Sequence, residues 1–290
     1  MNDSLQFANE SLKDFDVKNI CNSLQGDQIR SISLRECELS DKDFKKIIKG
    51  IGKNKSILQL GLNVGVVSNT TRIDALVEAL KKNRSLTALF ISGNSFGDEG
   101  MKVICEALTH HPNIISLDIS DCNLGDGCIE SICDLLPCNG AKSGLMDLTI
   151  SFNPDISTKG WAKFGIALAA SNTLRELYVD YNTLGDYAAS CILIGLTSNR
   201  KIEVLDLEST GVTDDTAQLI MYLVENFPVR LRKLVLDENK IGEDILQTIK
   251  DKYRILAEAL EAGLRTTEND TVPTALQEGD TEMNDTLTEK

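Results

Sequence analysis

His110 and His111 are the only imidazoles in the chain, and they sit side by side in a stretch expected to be a loop before a strand. Neither has a Ser, Cys or Glu at the spacing that a nucleophile–base pair or a zinc site needs. Cys122, Cys128, Cys133 and Cys138 lie close together, but their separations of 6, 5 and 5 residues are longer than the roughly two-to-four-residue gaps of a zinc site. The sequence has no P-loop, GxGxxG or HExxH motif, so the glycine loops that cradle phosphates and the helix that holds a catalytic metal are missing. No catalytic residue, cofactor or metal is expected, and the chain reads as a non-enzyme. Carboxylates are the abundant chemistry: 44 Asp and Glu against 30 Lys and Arg give a net charge of −14. That sign disfavours nucleic-acid phosphates and anionic membrane surfaces. It favours a protein partner carrying a basic patch.

What must position those carboxylates is an eleven-residue pattern that recurs eight times. It reads IRSISLRECEL from Ile29, ILQLGLNVGVV from Ile57, LTALFISGNSF from Leu86 and IISLDISDCNL from Ile114. It continues as LMDLTISFNPD from Leu145, LRELYVDYNTL from Leu174, IEVLDLESTGV from Ile202 and LRKLVLDENKI from Leu231. The starts are separated by 28, 29, 28, 31, 29, 28 and 29 residues, room for one strand and one helix per unit. The pattern L-x-x-L-x-L-x-x-N/C-x-L resembles the leucine-rich repeat. The resemblance implies an α/β solenoid, a horseshoe with parallel strands on its concave face and helices on its convex face. Stacked units of this kind share one continuous core, and each touches only its neighbours.

The fourth and sixth positions of each unit alternate inward from the strand, as Leu89 and Ile91 do. The ninth turns the chain out of the strand. Asn94, Asn153, Asn182 and Asn239 occupy it, their amides suited to buried backbone groups, while Cys37, Cys122, Thr210 and Gly65 replace them elsewhere. The Gly65 unit is expected to have the less regular turn. Beyond the eleventh position apolar residues follow the helical stripe i, i+3, i+4, i+7, for example Phe44, Ile47, Ile48 and Ile51. Ser40-Asp41, Gly97-Asp98 and Thr213-Asp214 read as helix N-caps. Trp161 falls on the helix position held by Phe44 and Met101 and is assigned to the core. Most cysteines likewise fall on packing positions, where free thiols behave as small hydrophobes.

Residues 1–264 read as one repeat domain of eight full units. A short N-terminal capping unit, 1–28, has Leu5 and Phe7 as its strand residues and Val17, Ile20, Cys21 and Leu24 as its helix stripe. A longer capping helix, 242–264, carries Ile245, Leu246, Ile249, Tyr253, Leu256 and Leu260. The segment 265–290 holds seven acidic and two basic residues with no helical period, and reads as a disordered acidic tail. No run of about 18 apolar residues is present and no secretory signal is visible. A monomer in a reducing compartment is expected, cytoplasmic or else nuclear or cytoskeleton-associated. On that expectation the N-x-S/T triplets at Asn69 and Asn83 are chance matches.

Third, fifth, seventh and eighth repeat positions should face the concave side. Besides Arg35, Glu36 and Lys233 they hold Phe90, Asp118, Asp121, Asp147, Phe152, Glu176, Tyr178, Asp180, Tyr181, Asp206, Glu208, Asp237 and Glu238. Acids with interspersed aromatics make a protein-binding surface, so the chain reads as a scaffold or regulator that binds protein there.

The alternation of 28 and 29 residues with a long helix resembles the ribonuclease-inhibitor-like subfamily over roughly residues 1–264. Its relatives include ribonuclease inhibitors, NLR sensor regions, tropomodulin and the Ran GTPase-activating proteins, which implies binding of protein through the concave face or a rim. In the Ran activators a functional Arg stands in a loop after an early strand. Arg72, in VGVVSNTTRID, has a similar setting, and STKGWAKFG from Ser157 is similar to a segment of that family. The family's NNGLG turn is here DCNLGDG, with Asp121-Cys122 in place of the asparagines. GTPase activation through Arg72 is therefore an alternative function, and a cytoskeletal or ciliary scaffold is another.

Overall fold

In the computed structural model, which describes residues 3–136, 144–199, 201–227 and 230–261, strands and helices alternate along the described residues. The strands are β1 (Ser4–Ala8), β2 (Ser31–Arg35), β3 (Gln59–Asn63), β4 (Ala88–Phe90), β5 (Ser116–Asp118), β6 (Asp147–Thr149), β7 (Glu176–Tyr178), β8 (Val204–Asp206) and β9 (Lys233–Val235). They form one sheet in sequence order, every neighbouring pair parallel. The helices are α1 (Asp14–Gln25), α2 (Asp41–Lys53), α3 (Thr70–Lys82), α4 (Gly97–Thr109), α5 (Ile129–Cys133), α6 (Thr158–Ala170), α7 (Gly185–Ser198), α8 (Asp214–Asn226) and α9 (Glu243–Glu261). The solenoid expected from the repeat is present. The short unit before Ile29 joins it as β1 and α1, with Val17, Ile20 and Leu24 buried. The segment 265–290 and Cys138 lie outside the described residues, as do the side chains of Leu256 and Leu260.

The core follows the arithmetic of the repeat. Ile32, Leu34, Leu60, Leu62, Leu89, Ile91, Leu148, Ile150, Leu177, Val179, Leu205 and Leu207 are all fully buried. Helix stripes such as Phe44, Ile47, Ile48 and Ile51 close over them. Trp161 is fully buried and meets Phe164 edge-on, with ring centroids 5.8 Å apart. The unit from Ile114 departs from the others. Its helix is reduced to a 3₁₀ turn at Asp126–Cys128 followed by the five-residue α5. Pro137, which can neither donate to nor extend a helix, follows three residues after Asp134.

Between units, polar side chains tie backbone to backbone in three rows. In the first row Asn94 Nδ2 donates to Leu62 O and Ile91 O, and Asn94 Oδ1 accepts from Val67 N. Asn153, Asn182 and Asn239 repeat that two-way clasp. Cys122 and Thr210 supply only a donor, to Ile91 O and Leu207 O. At the Gly65 turn Val64 and Gly65 both have positive φ, 56° and 72°.

The second row stands three residues before each repeat (57 − 54, for instance) and was not read from sequence. Asn54 and Asn83 each donate to carbonyls of the preceding unit and accept two backbone N–H groups. His111, Ser171 and Asn199 take the same place in later units. In the third row Asp98, twelve residues after Leu86, accepts from Gly125 N and Gly127 N of the next unit. Asp126, Asp186 and Asp214 do likewise. Ser40 and Thr213 cap their helices as expected. Gly97-Asp98 does not: the α4 N-cap is Phe96 with no side-chain bond, because Gly97 turns the chain at φ 61° and Asp98 is engaged across the repeat boundary.

His111 puts an imidazole where its neighbours have amides. Burial, reinforced by the Arg84 guanidinium and opposed by the Asn83 carbonyl, pushes its pKa down from 6.5 to about 4. The folded protein holds it neutral while the unfolded chain takes up the proton first, so stability should fall as pH drops from about 6.5 towards 4, by at most about 1.4 kcal/mol per pH unit. Chemical denaturation across that range measures the slope. His111→Asn restores the residue type that Asn54 and Asn83 place here and should remove this component of the slope; an unchanged slope would show that the loss has another origin.

Candidate functional site: the concave face

A strand three residues long presents its first and third side chains on the side away from the helices, and the parallel register stacks them in rows. Asp147 of β6 lies beside Glu176 of β7, and Thr149 of β6 beside Tyr178 of β7, which lies beside Asp206 of β8. Phe90 and Asp118 begin the second of these rows at β4 and β5. The half-burial of all these residues fits side chains that line a shared face.

The seventh and eighth positions form the rim. The eighth residue of every unit is in the left-handed region: Glu36, Val64, Gly93, Asp121, Phe152, Tyr181, Ser209 and Glu238 have φ between 51° and 71°. The N–H of that residue donates to the seventh-position carbonyl of the next unit, as in Phe152 N to Asp180 O at 3.1 Å and Tyr181 N to Glu208 O at 2.9 Å. Non-glycine residues accept this conformation only where the surroundings compel it. The compulsion here comes from the inter-repeat bond, and one result is an outward-turned aromatic pair. The rings of Phe152 and Tyr181 stack with centroids 4.3 Å apart and planes at 10°, while Phe152 remains 50% exposed.

Carboxylates hold and surround these rings. Tyr181 Oη donates to Glu208 Oε1 at 3.0 Å, and Tyr178 Oη to Glu176 Oε2 at 2.9 Å. Ser151 Oγ donates to Asp180. The bond to Glu208, then burial, raises the Tyr181 hydroxyl to about 12; burial, then the bond to Glu176, does the same at Tyr178. Burial first and the neighbouring Glu176 second push the Asp147 carboxyl up. Burial also raises Asp206, with Asp180 and Glu208 adding to the rise and the Glu208 N–H opposing it. The β6–β8 stretch is thus a crowded anionic field around two phenols and a phenyl ring, with the exposed Asp237 and Glu238 beyond it. Asp118 ties back to Ser120 N and Oγ, and Asp121 is exposed on the same rim.

Arg72 stands elsewhere, in the first turn of α3 rather than in the loop. It is buried. Its Nε donates to Asp41 Oδ1 at 2.7 Å, Nη1 to Val66 O at 2.7 Å and Nη2 to Leu39 O at 2.6 Å. The guanidinium lies 5.1 Å from the Phe44 ring centroid. The bond from Arg72, and then that from Asn69, holds the Asp41 carboxyl below its usual range. Arg72 is thereby a clamp between two units. Among the described residues no group of three or more His, Cys, Asp or Glu is arranged to hold a metal, and no helix is long and apolar enough to cross a membrane. Burial drives the Cys122 thiol up to about 12 and Cys133 to about 11, which leaves both poor nucleophiles at neutral pH.

A Leucine Rich repeat family model matches residues 82–105, 110–133 and 170–193. Leucine-rich repeat-containing protein 73 of Homo sapiens, like that of Rattus norvegicus, is 46% identical over 248 residues, covering 86% of this chain and 78% of the relative. The chain belongs to the leucine-rich-repeat family. NACHT, LRR and PYD domains-containing protein 3 of Bos taurus is 24% identical, and its match spans 82% of this chain but only 23% of that protein. Among solved structures, a chain of the Rad7 and Elc1 complex in yeast superposes with a TM-score of 0.61 at 17% identity, covering 83% of this chain and 58% of the other. That likeness concerns the fold.

Within this family frame the convex side carries a feature that sequence reading passed over. Ile166, Ile194 and Tyr222 are 73%, 58% and 55% exposed and lie on the successive helices α6, α7 and α8. On α2 and α3 the outward residues are charged, for example Lys49 and Glu78. A period search assigns such positions to solvent whatever residue fills them.

Arg72→Ala should destabilise the protein by on the order of 3 kcal/mol, since two carbonyls lose a charged donor and Asp41 loses its partner. Arg72→Lys should recover only part of this, because an ammonium cannot reach three acceptors in a fork. Thermal unfolding of the two variants measures both; wild-type stability in the alanine variant would overturn the clamp.

Proposed function

We propose that the chain is a protein-binding scaffold whose partner seats a basic segment on the concave face at β5–β9. The observation that carries this reading is the exposed Phe152–Tyr181 stack set among Asp180, Glu208 and Glu238. A ring face attracts a guanidinium or ammonium group, and the carboxylates add charge-assisted acceptors. Burial first and the neighbouring Glu176 second raise the Asp147 carboxyl, as desolvation and like charges do in general, with Arg175 opposing the rise. A cation delivered by a partner relieves the like-charge part of that rise, which supports a basic partner over a neutral one. Family membership supports a protein as the partner.

GTPase activation through Arg72 gains less support, because each guanidinium nitrogen is already engaged inside the fold. An activator would have to break those bonds before offering the side chain to a nucleotide.

The variant Asp118→Asn, Asp180→Asn, Asp206→Asn keeps side-chain acceptors while removing three charges. A partner captured by the wild-type chain should bind it at least about tenfold more weakly, with a shallower dependence on salt. Phe152→Ala should weaken binding without changing the salt slope. Because burial and neighbouring acids raise Asp147 and Asp206, affinity should also fade as pH is lowered into the carboxylate range. Isothermal titration at two salt concentrations and two pH values reads all three effects; unchanged affinity in the triple variant would place the interface elsewhere, with the Ile166–Ile194–Tyr222 line the next surface to mutate.

A further inference from the structure

Among the described residues the two ends of the solenoid are finished differently, and the C-terminal end is partly open. Strand residues at the fourth repeat position are fully buried from Ile32 to Leu205, but Leu234 in β9 is only half-buried. Ile245 and Leu246, which begin the stripe of α9, are half-buried too. β9 pairs with β8, and no other described strand pairs with its far edge. A groove of about 230 Å³ runs between β9 and α9, with Leu234, Leu246, Ile249 and Tyr253 as its floor. Arg232, Lys233, Lys250 and Arg254 line it as well; Lys250 faces Asp237 in the groove, and the exposed Arg232 and Arg254 reach Glu203, Asp251 and Glu258 beside it at 3.5–3.9 Å. In a chain of net charge −14, an apolar slot with a cationic rim is out of character with its surroundings. An open terminal repeat also exposes apolar surface that solenoids ordinarily cover.

The occupant that fits lies in the chain itself. Twenty-nine residues follow Glu261 (290 − 261). Within them one short stretch, TVPTAL at 271–276, brings Val272, Ala275 and Leu276 together, and it is flanked by Glu268 and Asp270 before and Glu278 and Asp280 after. The reach is sufficient. From Leu246 to Glu261 helix α9 runs about 23 Å at roughly 1.5 Å per residue, whereas the ten residues from Glu261 to Thr271 span up to about 33 Å. Pro273 suits the place, since a proline on an outermost strand denies the edge to further pairing.

We propose that residues 271–276 dock along the open edge of β9 and complete the C-terminal cap. Val272 and Leu276 enter the groove between β9 and α9, and the flanking carboxylates meet Arg232, Lys233, Lys250 and Arg254. The acidic segment is then a tethered cap rather than only a solubilising tail, a role independent of what binds the concave face. A short tether holds its end at an effective concentration of order millimolar. Even a docking contact of only about 100 µM intrinsic strength is then occupied roughly ten to one.

Hydrogen–deuterium exchange on the full chain tests this, with the amides of β5–β7 as the internal reference. In the wild-type chain, amides at 271–276 and at the β9 edge should exchange about tenfold more slowly than in Val272→Asp, Leu276→Asp, whose substitutions lie outside the repeat core. The pair Lys250→Glu, Arg254→Glu should release 271–276 to the same degree. The proposal is overturned if 271–276 exchange at the rate of an unstructured peptide in the wild-type chain, or if neither variant changes β9. It is equally overturned if the protection rises with protein concentration alongside a doubled sedimentation mass, since a second copy would then fill the groove.

Discussion

Every unit of this solenoid must turn its chain sharply out of a strand that is only three to five residues long, and the peptide groups freed by that turn are buried. Hydrogen-bond closure between successive units satisfies them. The eighth-position N–H reaches the next unit's seventh-position carbonyl, and the ninth-position asparagine clasps backbone on both sides of the boundary. An unsatisfied buried peptide group costs about 1–3 kcal/mol, and several such groups occur at each boundary. That cost explains why the ninth position is restricted to residues able to donate, and why its one glycine coincides with two successive left-handed residues at Val64 and Gly65. The leucines supply apolar burial, but the clasp fixes the spacing at which they meet.

The same closure frees other positions to vary. Side chains at the third, fifth, seventh and eighth places take no part in the core, so charge and aromatic content can accumulate there with little effect on the fold. The left-handed eighth position couples the two layers. Because an inter-repeat bond enforces it, a large residue such as Phe152 or Tyr181 can be held there with its ring turned outward beside its counterpart in the next unit. Backbone closure thus produces the geometry of a surface feature as a by-product. Holding these acids on a half-buried face carries its own cost: burial first, and neighbouring acids after it, raise the Asp147 and Asp206 carboxyls.

How far sequence could be read follows from which interactions repeat. Leucine spacing, helix stripes, the burial of Trp161 and the Asn94-type clasp recur at fixed offsets and were legible. His111 was not, because it fills an amide position with a different residue type and adjoins a second histidine; only its offset of three before Ile114, shared with Asn54 and Asn83, gives it away. Asp98 looked like a cap because it follows a turn residue, yet Gly97's positive φ makes the turn and leaves Asp98 to serve the next unit. Arg72 looked like a loop residue because the turn before it is irregular. Its burial depends on Asp41 and Phe44, about thirty residues earlier, a pairing that no local pattern contains. The face-to-face contact of Phe152 and Tyr181 depends on a backbone conformation that neither residue type favours.

The rows of polar ties also explain why the two ends of the repeat array are unequal. Ties cross each boundary in both directions: Asn239 reaches back to close the turn at Thr210–Val212, and Asp214 reaches forward to accept from Gly242. At the first boundary the parallel pairing of β1 with β2 and the bridge from Ser11 to Glu38 complete the structure. At the last boundary no described unit follows to accept from Glu238 N or to donate to Asn239's own turn. The chain answers with length instead, extending α9 to 19 residues where α2, α3, α4, α6 and α8 have 13. A longer helix can shield apolar side chains on one flank of β9, but a helix satisfies its own backbone internally and cannot pair with the open edge of a strand. The residual exposure of Leu234 and Leu246 among the described residues is therefore what this topology leaves where the last described element is a helix.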